Sequence, residues 1–208
     1  KGLEDGLKRA VTSQLEGLWP RDAASLARFR ELMLPAFQHT LGTRWPLSGD
    51  SKIFFTGEGL RVEYRGLPGS VALRRQGTGD PLRLVVATEE NVAVEGSAWI
   101  LTLRPHEREV PCNAGVEIRN KGWIQWRENH PLTYYRTELA RQVQDVLTAL
   151  SGVGGRDVIL EGRGEAGIAV LLARALAPAG SVGDTIVDLG GRDDRLEESW
   201  SGARALPG

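Results

Sequence analysis

Cysteine is almost missing from this chain: Cys112 stands alone among 208 residues, which excludes an intramolecular disulfide and any cysteine-rich zinc site. The three histidines, His39, His106 and His130, show no close ligand spacing, so no metal centre is expected. An excess of one charge sign is lacking as well. The chain has 26 Lys and Arg against 27 Asp and Glu, a formal net charge of -1, and its basic residues are scattered singly. With no face-sized surplus of cations to displace counterions from phosphates, a dedicated nucleic-acid binder is not expected. No apolar run approaches the roughly 20 residues that span a bilayer, and Lys1-Gly2-Leu3-Glu4-Asp5 lacks the apolar core of a signal peptide. A chain opening on Lys1 reads as a processed or cut piece, so the compartment stays open.

What is there is an ordinary globular composition, 41% hydrophobic and 25% charged, enough for one well-packed domain with an appendage. Leu3, Leu7, Val11, Leu15 and Leu18 recur at helical spacing before a stop at Trp19-Pro20. A second helix follows, with Asp22 as its cap and Leu26, Phe29 and Met33 on one face. Residues 1–50 therefore read as a helical lead-in, closed by the break from Pro46 to Asp50. Alternation at Leu60, Val62 and Tyr64 and at Val71 and Leu73, with glycine-rich turns between, predicts antiparallel edge strands. Leu82–Ala87 and Ala98–Leu103 are uniformly apolar, as strands buried on both faces should be. The spacing of Tyr135, Leu139, Val143, Val146, Leu147 and Leu150 predicts a helix over 133–150. A strand at 157–161, a glycine turn, a helix to Ala177 and a strand at 184–189 then form a βαβ unit, so the core is an α/β layered fold with a largely parallel centre.

The turn Gly162-Arg163-Gly164-Glu165-Ala166-Gly167 carries the functional question, and it reads two ways. Taken literally it is G-x-G-x-x-G between a strand and a helix, the setting of a dinucleotide cradle built on Gly162, Gly164 and Gly167, with Asp188 about 20 residues on where a ribose-binding acid would sit. Against this, the unit arrives after some 150 residues of other structure, and the Glu165 carboxylate on the first turn of the helix would repel a pyrophosphate. The second reading is a nucleophile elbow, G-x-S-x-G, in which Gly164 stands where the serine belongs.

The run from Glu128 through Asp145-Val146-Leu147-Thr148-Ala149-Leu150, followed by the strand and the glycine turn, resembles the acetyl-xylan-esterase-like branch of the α/β-hydrolase superfamily. Ala173-Arg174-Ala175-Leu176-Ala177-Pro178 is similar to the segment after the elbow in that branch, and Trp200–Gly208 to the loop before its acid-bearing strand. The resemblance implies an α/β-hydrolase-like three-layer sandwich over residues 51–208, with a mostly parallel central sheet, after the helical segment 1–50. It also implies a Ser, Asp and His triad, no cofactor, a carbohydrate or acetylated glycan as ligand, and a secreted or periplasmic setting if the parent protein degrades glycans.

The chain departs from that pattern in three places. Gly164 replaces the nucleophile. Arg104-Pro105-His106-Glu107 stands where an oxyanion turn of Asp-Pro-Arg-Gly type is expected, without its glycine. The sheet is expected to be incomplete at the C-terminus, ending before the strands that bring the acid and the histidine. Independent ester hydrolysis is therefore not expected, and the domain reads as a non-catalytic carbohydrate-binding or scaffolding part. The alternative is a segment of an active deacetylase completed by other domains or a second chain. Among remaining candidates, Asp188 reads as a triad remnant or a turn residue with Gly190-Gly191, and Glu165 as a helix cap or a general base. His106 reads as a loop residue or a base, and His130 as a turn residue before Pro131 or a base. Trp123 and Trp126 read as a stacking pair for a sugar ring or as core.

Overall fold

The computed structural model describes residues 2–47, 49–57, 59–64, 70–79, 82–103, 137–154 and 157–189. Residues Lys1–His39 form one compact unit and Thr40–Gly208 a second. In the first, α1 (Gly2–Leu18) ends ahead of Trp19-Pro20 as the spacing predicts, and α2 (Ala23–Leu41) starts directly after Asp22. The Asp22 carboxylate accepts from the Ser25 N–H at 2.7 Å and from the Ser25 hydroxyl at 2.6 Å, satisfying donors that the helix start leaves open. Helix α2 continues through Pro35 rather than stopping there.

The second unit is an α/β arrangement on one mixed sheet. Its seven strands among the described residues are β1 (Ser51–Thr56), β2 (Gly59–Tyr64), β3 (Ser70–Gln76), β4 (Arg83–Ala87), β5 (Ala98–Thr102), β6 (Val158–Gly162) and β7 (Val182–Val187). They lie in the order β1-β2-β3-β5-β4-β6-β7. The first three join as antiparallel neighbours, and β3 runs antiparallel to β5. Strands β5, β4, β6 and β7 are mutually parallel. The alternating segments thus form the antiparallel side, and the uniformly apolar ones the parallel centre, where Leu84, Val85, Val86 and Ile100 are buried. Strand β7 starts two residues earlier than its apolar run suggests, because Val182 pairs with Val158 across an irregularity in the β6 register, which leaves Asp188 just past the strand.

Helix α3 (Glu138–Val153) begins at Glu138, and residues 133–136 of the expected span lie outside the described residues. Thr137 is extended, and its hydroxyl accepts from the Ala140 N–H at 3.1 Å. Leu139, Val143, Val146, Leu147 and Leu150 form its buried stripe, and Gly154 ends it in the left-handed conformation, φ 66°. Helix α4 (Gly167–Leu176) packs against α3 and against β6 and β7. Both helices lie on the face that carries Leu60, Val62, Leu160 and Gly162: Gly152 of α3 sits against the Val62 side chain, and Gly162 against Val170 of α4.

Buried Gln144 ties α3 to the chain entering the sheet. Its amide accepts from the Arg44 N–H at 3.0 Å and donates to the Arg44 carbonyl at 2.9 Å, so it pairs one peptide as a neighbouring strand would.

The opposite face is covered differently. Parallel strands β4 and β5 are joined by residues 88–97, which contain no helix. Val92 and Val94 of this strap press onto Val85, Ala87, Ala98 and Ile100. The strap is fastened at two carbonyls, Val94 by the Gln76 amide at 2.7 Å and Ala93 by the Arg163 guanidinium at 2.8 Å. Such a crossover usually needs a dozen residues or more and a helix. Two valines and two side-chain hydrogen bonds replace it here. No helix of the described residues is long and apolar enough to cross a membrane.

Candidate functional site

From β4 the chain moves to β5 on one side, and from β6 to β7 on the other. The direction of winding therefore reverses between β4 and β6, and the crevice at the carboxyl ends of those strands is where α/β sheets collect ligands. The glycine turn opens there.

Its backbone is held on both sides. The Arg163 N–H donates to the Val86 carbonyl at 3.0 Å, and the Gly162 carbonyl accepts from the Asp188 N–H at 2.9 Å. Gly164–Ala166 then make a single 3₁₀ turn, closed by the Gly167 N–H on the Gly164 carbonyl, before α4 begins. Gly164 adopts φ 56°, the left-handed conformation that ordinary residues avoid.

The three glycines are not equivalent. A Cβ at Gly162 would lie 2.8 Å from the Val170 Cβ, and one at Gly167 would overlap the Asp188 carbonyl oxygen. Ala166 between them is fully buried. A Cβ at Gly164 would meet nothing within 4 Å. The turn is thus sterically closed at its two flanks and open at its apex, where the absence of a side chain is a matter of conformation and chemistry rather than of space.

Gly162, Arg163, Gly164, Glu165, Gly167 and Asp188 are brought together. Asp188 reaches the turn through its backbone, as donor to Gly162 and as the wall against Gly167. His106, His130, Trp123, Trp126 and the turn Arg104–Glu107 lie outside the described residues. Among the described residues no group of three or more His, Cys, Asp and Glu is placed to hold a metal ion.

One participant was not singled out by the sequence reading. Glu161, the residue before Gly162, points to the strap face, with its side chain 8% exposed. Its carboxylate accepts from the Arg83 guanidinium and, at 2.6 Å, from Arg163 Nε. Arg163 in turn grips the Ala93 carbonyl, so a chain of charge runs from β4 through Glu161 to the strap beside the turn. A sequence signal existed: Glu161 is a lone carboxylate in the apolar run Val158-Ile159-Leu160, and Arg163 lies two residues on, on the same side of an extended chain.

The arrangement presents an open glycine in the left-handed conformation at the switch point of a parallel sheet, with no hydroxyl or thiol at the apex. Comparison of the chain with family models, with curated proteins and with solved structures finds no match.

Proposed function

We propose that residues 51–208 form an α/β-hydrolase-like domain related to the acetyl-xylan-esterase-like branch, with the nucleophile elbow kept as backbone and its nucleophile replaced by Gly164. In this reading the domain does not hydrolyse esters by itself. It serves as a carbohydrate-binding or scaffolding part that works with other domains or a second chain, its ligand an acetylated glycan. The carrying observation is Gly164: φ 56°, open space above it, and flanks that admit no side chain at 162 or 167. An elbow needs small flanking residues because its strained turn lifts the nucleophile clear of the sheet, and that is the steric pattern found.

Incubating the chain with a serine-reactive phosphonate and a chromogenic acetyl ester tests it. Neither labelling nor turnover is expected, and either one would sink the reading. Gly164→Ser alone is expected to stay unlabelled, because no histidine and acid of a triad are assigned to activate the new hydroxyl.

A second reading keeps the turn as a dinucleotide cradle. It is favoured by the close approach of Gly167 to β7, a role the third glycine of such a cradle also plays. The residues following the carboxyl ends of β4, β6 and β7 include Glu89, Glu90, Glu165 and Asp188, which disfavours a pyrophosphate. Thermal-shift titration with NAD and NADP separates the readings: a cradle predicts a rise in melting temperature by linkage, the elbow none.

A further inference from the structure

Among the described residues the antiparallel end of the sheet closes on β1, and nothing within that strand guards its edge. Exposed edges are usually blunted by charges, proline, a bulge or a covering element. Strand β1, Ser51-Lys52-Ile53-Phe54-Phe55-Thr56, has one charge and no proline, and its register with β2 runs unbroken through six pairs. Its apolar residues remain exposed: Ile53 is 42% exposed, Phe55 79%, and Phe54 44% even with the Arg61 guanidinium 6.0 Å from its ring centre. Ile53 and Phe55 lie opposite Val62 and Leu60, so they extend a face that is buried one strand further in.

The backbone tells which groups are on offer. Two residues connect β1 to β2, and Thr56 pairs with Gly59, so that closing pair exchanges hydrogen bonds and Phe54 and Lys52 bond inward by alternation. Ser51, Ile53 and Phe55 then direct N–H and C=O to the edge that no described strand pairs. A second strand laid antiparallel must bond to those residues.

A second copy of β1 fits this requirement with itself. We infer that two chains associate through antiparallel pairing of their β1 strands about a two-fold axis at Phe54. In that register Phe54 faces Phe54 of the other copy, Ile53 faces Phe55 on the buried-side face, and Lys52 faces Thr56. Every apolar side chain meets an apolar one, and the single cation meets a hydroxyl rather than its own copy. Aromatic and β-branched pairs of this kind are the favourable cross-strand units, whereas like charges opposite each other are not. Shifting the register to centre on Ile53 would set Phe55 against Ser51 and lose this match. Five paired residues per strand make less contact than a permanent interface, so the association depends on concentration.

Sedimentation equilibrium on the whole chain, from micromolar to millimolar, reads the association directly. The mass is expected to climb toward twice that of one chain, and Phe54→Lys, which sets lysines opposite each other at an exposed position, should weaken dimerisation about tenfold or more. A cross-link fixes the register. At a non-hydrogen-bonded pair the Cα atoms stand about 4.5 Å apart, within disulfide range, so Phe54→Cys in a Cys112→Ser background should oxidise to a covalent dimer and Ile53→Cys should not. Circular dichroism of each variant is the check that it is folded. A chain that stays single at every concentration overturns the inference. So does a dimer indifferent to Phe54→Lys, which would place the contact elsewhere, or cross-linking through residue 53 in preference to 54.

Discussion

Gly167 sits so close to Asp188 that a Cβ on the glycine would overlap the aspartate's carbonyl oxygen. The first turn of α4 and the end of β7 are therefore seated backbone to backbone, and the N–H of the same Asp188 bonds the Gly162 carbonyl. Because the obstructing atom is main chain, no rotamer change relieves it. Gly167→Ala is expected to destabilise the domain by about 1–3 kcal/mol, the usual range for overpacking, read as a lower denaturation midpoint at unchanged slope.

Gly164→Ala should behave differently, although the two glycines are three residues apart. Its Cβ enters open space, so the cost is the left-handed backbone alone, roughly 1–2 kcal/mol. Equilibrium unfolding of both alanine variants compares them. If overpacking dominates at residue 167, chemical denaturation should show that a helical-region glycine is less replaceable than one at positive φ, the reverse of what dihedral angles alone suggest.

Removing the Glu161 carboxylate leaves the Arg83 and Arg163 guanidinium groups without their common partner. A broken buried pair costs about 3–5 kcal/mol, but both arginines reach solvent, so Glu161→Gln is expected to cost roughly 2–3 kcal/mol. Denaturation of Arg83→Met/Glu161→Leu should show a smaller loss than Glu161→Leu alone, because the double change removes one stranded charge along with its partner. A double variant worse than the single would mean that the pair stabilises through packing of the stems instead.

Fold class and element order were legible because they rest on periodicity. Leu60, Val62 and Tyr64 alternate and are buried, and Leu139 to Leu150 form a helical stripe that is buried. The glycine turn could be located but not resolved. Three glycines look alike in a sequence, and only the approach of Val170 and Asp188 separates the two that exclude a side chain from the one that does not. The strap across residues 88–97 was not legible either. Its two fastenings, Gln76 to Val94 and Arg163 to Ala93, span 18 and 70 residues, and no local pattern encodes partners that far apart.

The same distance hides Gln144, whose hydrogen-bond partner lies 100 residues away. Replacing it by leucine keeps much of the volume and strands the N–H and C=O of Arg44 in a part-buried setting. At about 1–3 kcal/mol for each buried group left unpaired, Gln144→Leu is expected to cost roughly 2–4 kcal/mol, allowing for partial access of water. Hydrogen exchange at the Arg44 amide should accelerate in the variant even where the sheet remains protected; an unchanged rate would show that the amide finds another partner.

Asp22 gives the helical unit a pH dependence of known sign. Bonds from the Ser25 hydroxyl and the Ser25 N–H hold its carboxyl below the ordinary value of 3.8. A carboxyl lowered in the folded chain contributes stability above its unfolded pKa, and that contribution is lost as pH falls through the folded one. The start of α2 is therefore expected to keep its cap at neutral pH and to loosen only in acid, below 3.8. Nuclear magnetic resonance titration of the Asp22 carboxyl and the Ser25 amide should show both moving together with a midpoint under that value. In Asp22→Asn, which still caps but cannot ionise, the Ser25 amide should lose its acid transition. A midpoint at or above 3.8, or a transition that survives in Asp22→Asn, would assign the acid sensitivity of α2 to another group.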